Sequence, residues 1–426
     1  MAGLPRLGPL MHETAARPLA RFPGFTEFVV LMAALMALNA FAIDAMLPAL
    51  PAIGAELGVA EENQRQLVVI IYMLGFGGAQ MLWGPLADRF GRRPVLLAGL
   101  VSYTLFAAGA ALSSGFSGLL AFRFLQGAAA ASTRVLVVSV VRDRFEGAQM
   151  ARIMSLTFLV FMAVPVFAPT LGTAILAVAP WRWIFGALAS AGLLMLVWAG
   201  LRLPETLDPA NRRAFSVAEI AAGTRETLTT RASIGYTLAF TCMMGALMSY
   251  VSSSQQIVFD YFRRPDLFAI VFGAVAAPMA LTSWLNSRLV VKLGTRRLAH
   301  WGLLAFTSLA ALHWLVALRG DTLASFIILQ ALVMASFSFA SSNMGALAMQ
   351  PLGHVAGTAS SVQGSLGTIG GAAIGFVVGQ SFNGTPVPML AGFALMGAAA
   401  LGVVLWTERG RLALGGSAPA ALRAGG

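Results

Sequence analysis

Long apolar segments recur along this chain and constrain its fold more than any other feature. Hydrophobic residues make up 58% of the sequence and charged residues only 11%, whereas about a quarter of a soluble domain is charged. In lipid, only helices of about 20 residues or closed barrels pair all their backbone polar groups. Because the apolar runs are uninterrupted rather than alternating, the sequence predicts an all-α integral membrane protein. The expected spans are at about 26–49, 66–86, 94–114, 117–141, 152–177, 181–203, 232–256, 267–291, 298–318, 322–349, 356–381 and 386–407.

A long polar connection divides these twelve spans into two sets of six. The predicted domains are an N-terminal tail (1–25), an N-terminal six-helix bundle (26–203), a linker (204–231), a C-terminal six-helix bundle (232–407) and a C-terminal tail (408–426). Of the 28 lysines and arginines, roughly 21 lie in the tails and the even-numbered loops, and basic loops mark the cytoplasmic side. Both tails and the linker are therefore predicted to be cytoplasmic.

The two halves share a basic turn between their second and third spans. Shifting the sequence by about 203 residues places Arg89-Phe-Gly91 on Lys292-Leu-Gly294, with Arg296 and Arg297 following. Asp88 falls opposite Val291, so the second copy lacks the acid. Six spans repeated in parallel, with the same turn, are typical of a transporter built from two repeats.

Several motifs resemble those of a known family. The stretch from Gly84 to Arg93, of the form Gly-x-x-x-Asp-Arg-x-Gly-Arg-Arg, resembles the signature between helices 2 and 3 of the major facilitator superfamily. Five other stretches are similar to the bicyclomycin-resistance (Bcr/CflA) drug-proton antiporters: Asp44-Ala-Met-Leu-Pro-Ala-Leu-Pro51, Arg123-Phe-Leu-Gln-Gly127, Ala168-Pro-Thr-Leu-Gly172, Trp181-Arg-Trp-Ile-Phe185 and Gly357-Thr-Ala-Ser-Ser361. The family's fifth-helix motif usually has glycines where this chain has Ala168 and Thr173.

This resemblance implies a fold and a function. The expected fold is two pseudo-symmetric six-helix bundles around a central cavity that spans 1 and 4 line. The expected function is secondary export of small amphipathic drugs by proton antiport across the bacterial inner membrane, which confers antibiotic resistance. A proton-coupled exporter of metabolites such as sugars or amino acids uses the same scaffold. A sensor or scaffold that binds without transporting is the alternative from another class.

Two ionisable residues inside the spans are candidates for proton coupling. Asp44 is the only acid well inside any span, and Arg123 lies at a matching depth, each about 6–9 Å below the outer surface by helical rise. Intramembrane charges are costly and usually functional. A nearby arginine lowers a carboxylate's proton affinity and desolvation raises it, so we expect Asp44 to carry the proton and Arg123 to tune it. The alternative is a structural ion pair between spans 1 and 4.

The charged turn is a candidate cytoplasmic gate. Asp88 can pair with Arg92 or Arg93, while Gly84 and Gly91 permit tight packing and turning. The alternative is a topology anchor under the positive-inside rule, which accounts for Arg93 better than for Asp88.

Prolines and polar residues mark other candidate positions within the spans. Pro165, Pro169 and Gly172 predict a kinked, closely packed fifth span that acts as a hinge, or else ordinary membrane prolines. Amides in a span need protein or water as partners. The candidate residues of the substrate cavity are Tyr72, Gln126, Phe158, Phe161, Tyr250, Gln255, Asn343 and Gln363.

No enzyme motif is present in the sequence. The four histidines are scattered and Cys242 is the single cysteine, so neither a metal site nor a disulfide within the chain is predicted. The glycines from Gly364 to Gly371 lie in an apolar span and predict close helix packing rather than a nucleotide loop. We expect no cofactor, with the proton as coupling ion, and no nucleic-acid partner despite the net charge of +11. The expected partners are a drug-like small molecule and the lipid bilayer, around a monomer.

Overall fold

The computed structural model describes residues 23–145, 147–212 and 216–413. The side chains of residues 147, 148, 151, 155, 158–162 and 211 lie outside this description. Within the described residues the chain is helical and contains no β-strand. The all-α class predicted from the apolar runs is confirmed.

Six long helices form the N-terminal bundle. A short helix, α2 (Leu50–Glu56), lies between the first and the second of these long helices. The long helices are α1 (Phe25–Asp44), α3 (Leu67–Phe90), α4 (Arg92–Ala111), α5 (Phe116–Arg144), α6 (Gly147–Val178) and α7 (Arg182–Arg202).

Six more long helices form the C-terminal bundle, after the linker helix α8 (Val217–Thr229). They are α9 (Arg231–Gln256), α10 (Phe268–Leu293), α11 (Thr295–Ala317), α12 (Leu323–Met349), α13 (Ala356–Gln380) and α14 (Val387–Thr407). Ten segments of the described chain are long and apolar enough to cross a membrane, and one of them, Leu323–Gln380, contains both α12 and α13. The expected two six-helix bundles are thus present, whereas the exact domain boundaries stay a prediction.

The repeated basic turn has the same geometry in both bundles. Gly91 separates α3 from α4 with φ +101°, and Gly294 separates α10 from α11 with φ +83°. Such positive φ angles strain any residue with a Cβ atom. The 203-residue offset therefore relates two equivalent glycine turns, at the end of the molecule that we call the turn side. The other end, which holds residues 45–66, is the far side.

Glycines bring the helices near the candidate site into close contact. A Cβ atom at Gly127 of α5 would collide with the Tyr72 carbonyl oxygen of α3, and one at Gly75 of α3 with that of Phe124. Backbone-to-backbone approach through small residues is typical of membrane helices. Gly367, Gly370 and Gly371 of α13 likewise face side chains of α9, which confirms the predicted packing role of this glycine run.

The two bundles meet along two helix pairs. In one pair α3 packs against α13, and in the other α6 packs against α10. At mid-height the Gln80 amide donates to Thr368 Oγ1 at 3.1 Å, and the Ser365 hydroxyl donates to the carbonyl of Gly77. These contacts leave α1 and α5 beside the space between the bundles.

Candidate functional site

Arg123 is wholly buried and ties three helices together through backbone carbonyls. Its Nε donates to the Val68 carbonyl of α3 at 3.0 Å, and its Nη2 donates to the Ala42 carbonyl of α1 at 3.0 Å. Its Nη1 donates to Oε1 of Gln126 at 2.8 Å, and the guanidinium lies 4.2 Å from the ring centre of Tyr72. The cation is thus balanced by dipoles and a π face, which is an accepted way to hold an arginine in a low-dielectric interior.

Asp44 is buried at the far-side end of α1, with 5% of its surface exposed. Among the described residues, no side chain forms a salt bridge or hydrogen bond with this carboxylate, so the alternative of a direct Asp44–Arg123 ion pair is not realised. Arg123 instead contacts the backbone two residues earlier. Tyr250, on α9 of the other bundle, is buried and stacks on Phe272 of α10, and among the described residues its hydroxyl has no hydrogen-bond partner.

Helix α6 packs directly on the chain next to Asp44. A Cβ atom at Gly172 would collide with the carbonyl oxygen of Ala45. Helix α6 continues through Pro165 and Pro169 without interruption. Val166, one residue after the first proline, lies beside Gly273 of α10. This part of α6 therefore connects the neighbourhood of Asp44 to the second bundle.

The charged turn forms an ionic cluster around a buried arginine within the first bundle. Arg92 is 3% exposed; its Nη1 donates to Asp88 and its Nε donates to Oδ2 of Asp143, at the end of α5, at 2.9 Å. Glu205 caps the start of α4 by accepting from the backbone N–H groups of Arg92 (2.9 Å) and Arg93 (3.2 Å). In this conformation the cluster binds α3, α4, α5 and the chain after α7 to one another.

The remaining turn residues have separate surroundings. The Arg93 guanidinium donates to the carbonyl of Gly200 at 2.6 Å. A Cβ atom at Gly91 would collide with the carboxylate of Glu205, whereas one at Gly84 would approach Val135 only to 3.9 Å. Close packing is therefore needed at Gly91 and not at Gly84.

Sequence reasoning missed Asp143 and Glu205, although the 203-residue offset carried a signal for the second. Shifted by 203, Glu205 becomes Glu408 and Arg93 becomes Arg296, and in the structure the Arg296 Nε lies 3.2 Å from Glu408 Oε1. An acid after the sixth long helix thus meets the start of the third long helix of the same bundle in both halves.

The candidate cavity residues divide between two groups. Tyr72 and Gln126 belong to the Arg123 network, and the Tyr72 hydroxyl also donates to Asn39 Oδ1 at 2.9 Å. In the second bundle Asn343 donates to Asn286 Oδ1 at 2.7 Å, Gln363 donates to the Gly345 carbonyl at 3.3 Å, and Gln255 and Tyr250 are buried on α9. The side chains of Phe158 and Phe161 lie outside the described residues.

Neutral amides join the two bundles at the far side. Asn63 Nδ2 donates to the carbonyls of Gln380 and Phe382, each at 3.1 Å. Gln256 Nε2 donates to Asn63 Oδ1 at 2.7 Å, Gln66 Nε2 donates to Gln256 Oε1, and Gln380 Nε2 donates to the Asn63 carbonyl at 2.8 Å. We call Asn63, Gln66, Gln256 and Gln380 the amide latch. It joins the far-side ends of the two bundles in this conformation.

Removing the latch glutamines is expected to open the far side. Each neutral hydrogen bond contributes about 1 kcal/mol, so Gln66→Leu with Gln256→Leu should shift the balance of conformations by roughly tenfold or more. Spin labels on cysteines at the exposed positions Glu61 and Ser381, in a Cys242→Ser background, report the distance between the bundles. The distance should lengthen in the double variant and stay unchanged for Gln64→Leu, an exposed glutamine of the same turn. Equal distance distributions in all three proteins would contradict the latch.

Comparisons with known proteins agree with this architecture. The family model described as Major Facilitator Superfamily matches residues 32–375. The chain belongs to the major facilitator superfamily. It is 31% identical over 367 residues to a bicyclomycin resistance protein homolog of Haemophilus influenzae, covering 85% of this chain and 91% of the relative. It is 29% identical to the multidrug resistance protein MdtL of Escherichia fergusonii over 61% of this chain and 63% of the relative.

The solved structures agree on the fold. A D-xylose-proton symporter superposes with a TM-score of 0.70 at 13% identity, covering 88% of this chain and 97% of the symporter. This major facilitator protein is therefore a multi-pass membrane transporter and not an enzyme, as the sequence predicted.

Proposed function

We propose that this transporter exports small amphipathic drugs from bacteria in exchange for protons across the inner membrane. The names of its relatives support drug export, since they include bicyclomycin resistance and multidrug resistance proteins. In the proposed orientation the turn side, the linker and both tails are cytoplasmic, the far side faces outward, and the transporter works as a monomer.

The surroundings of Asp44 carry the proposal of proton coupling. Its carboxylate is buried without a cation or hydrogen-bond donor among the described side chains, so its charged form is poorly stabilised. It lies beside α6, and α6 in turn packs on α10 of the opposite bundle. Protonation therefore changes the charge next to a helix that connects the two bundles, which is where a coupling ion can bias two conformations.

The cycle follows from these positions. With the far side open, Asp44 takes a proton from outside and becomes neutral, which favours closure of the far side and formation of the amide latch. With the turn side open, a drug enters between the bundles and the Asp44 proton leaves to the cytoplasm. Arg123 fixes the ends of α1, α3 and α5 near Asp44, and Tyr72, Gln126, Tyr250, Gln255, Asn343 and Gln363 are the proposed polar wall of the drug path.

The turn cluster has a second proposed role in this cycle. In the conformation described here, Asp88 and Arg92 hold the first bundle rigid. When the turn side closes, we expect the partly exposed Asp88 to contact the second bundle and so act as a cytoplasmic gate. Gly84, Gly91 and Arg93 set the shape of the turn that positions Asp88. Pro165, Pro169 and Gly172 allow α6 to follow the movement.

Efflux by everted membrane vesicles tests the function. Vesicles containing the transporter are offered anionic, cationic, neutral and zwitterionic drugs, together with sugars and amino acids, with and without an uncoupler. We expect drugs to accumulate only while the proton gradient persists, and the purified protein to release protons when a transported drug is added. Accumulation that survives the uncoupler would contradict antiport, and accumulation of sugars or amino acids alone would contradict drug export.

A further inference from the structure

Arg134 is a second arginine deep inside the membrane-spanning part of the first bundle. Helices α1 and α5 run in opposite directions, since Arg123 bonds Ala42 near one end while the rings of Phe28 and Phe145 lie 5.4 Å apart near the other. Arg134 lies half-way along α5 between these two contacts. It is therefore not part of a basic loop, and the positive-inside rule does not explain it.

Arg134 is exposed although it lies on the inward face of α5. About three helical turns separate it from Arg123, so both side chains leave α5 on the same face. That face is packed, because Ala130, Ala131 and Val137 on either side of Arg134 are at most 1% exposed. Arg134 is nevertheless exposed. Val138, four residues later, is also partly exposed, so a recess opens at this level of α5.

Helix α1 has an exposed apolar face at a similar height. It is buried along most of its length, yet Val30 is 49% exposed and Ala34 and Phe41 are partly exposed along the same face. Ala34 lies near the level of Arg134, between the two contacts that fix α1 to α5. Val30 and Ala34 thus give α1 an exposed apolar surface at about the height of Arg134, and we call this part of the bundle the central recess.

Among the described residues, Arg134 differs from the other deep arginines in having no hydrogen-bond or ion-pair partner. Arg123 donates three hydrogen bonds and Arg92 binds two carboxylates. Among the described residues, none forms a salt bridge or hydrogen bond with the Arg134 guanidinium. An unpaired guanidinium over an apolar wall offers a planar, two-pronged donor for an anion.

We propose that Arg134 binds the acidic group of the transported molecule, so that the substrates are amphipathic compounds with a carboxylate or similar anion. The apolar part contacts the α1 face at Val30 and Ala34. This inference rests on the proposed transport function and specifies its substrate class.

Binding of three matched probes tests the inference. The probes 2-naphthoate, 2-naphthamide and 2-(aminomethyl)naphthalene share one ring system and carry an anionic, a neutral and a cationic group. Calorimetric titration of the full-length protein in lipid nanodiscs should show naphthoate binding about tenfold more tightly than the amide, since hydrogen bonds to charged groups are the stronger ones. Arg134→Gln should remove this preference, and Arg134→Lys should keep part of it.

The control is Arg142→Gln, which removes an exposed arginine at the end of the same helix and should leave the preference intact. Wild-type protein that binds none of the probes, or binds the amide or amine as well as naphthoate, overturns the inference, as does an unchanged preference in Arg134→Gln. If Arg134→Gln does not fold, the wild-type ranking and Arg134→Lys decide. A protein that prefers naphthoate but shows neither efflux nor proton release contradicts the proposed function and not the role of Arg134.

Discussion

Asp44→Asn is expected to abolish drug-driven proton release while leaving the protein folded. Asparagine has nearly the same shape as aspartate, but its side chain does not take up a proton at physiological pH. Burying a neutral amide also costs less free energy than burying a charged carboxylate. The measurement is the pH change of a weakly buffered solution of purified transporter when a transported drug is added. In vesicles, accumulation against a pH gradient should be lost in the same variant.

The matched control is Asp260→Asn, which changes an exposed aspartate just beyond α9 in the same chemical way. It should release protons as the wild type does, and Asp44→Glu should recover part of the signal. Proton release that persists in Asp44→Asn would mean that another group carries the proton.

Arg92→Gln is expected to destabilise the transporter strongly. It removes the cation that lies between Asp88 and Asp143 at a position with only 3% exposure. Breaking a fully buried ion pair by removing one partner costs about 3–5 kcal/mol, and the loss here should lie near the lower end because the 40% exposed Asp88 can be hydrated. The thermal unfolding midpoint in detergent, followed by the tryptophan fluorescence, should fall accordingly.

Arg93→Gln provides the comparison at the neighbouring position. Its side chain bonds a carbonyl and no carboxylate, so a loss of about 1 kcal/mol is expected. Arg92→Gln combined with Asp143→Asn should recover part of the stability, because one of the two stranded charges is gone. Equal unfolding midpoints for Arg92→Gln and Arg93→Gln would exclude the central role of Arg92 in the cluster.

Features written into local sequence could be predicted, and those that depend on distant partners could not. The apolar runs predict the helices because membrane burial requires them, and the repeated Arg-x-Gly and Lys-x-Gly turns predict equivalent glycine turns at Gly91 and Gly294. The partners of Arg123 were not predictable, because every residue has a backbone carbonyl and the sequence does not distinguish those of Val68 and Ala42 from the others.

The amide latch shows the same limit at longer range. Asn63 and the Gln380 carbonyl are 317 residues apart, and neither has a pattern that points to the other. Arg134 was visible in the sequence as a charge within a span. Only the burial of its neighbours showed that its side chain opens into a recess.

The amide latch consists of side chains that neither titrate nor carry charge. Contacts between ions weaken as salt rises, but hydrogen bonds between amides and carbonyls have no net charge for salt to screen. The far-side contact between the bundles should therefore hold equally in dilute and in saline surroundings, and any pH dependence of its closure should come from Asp44 and not from the latch. In the proposed orientation this barrier faces outward, so changes in external salt would leave it shut, while the proposed proton site would still bias it.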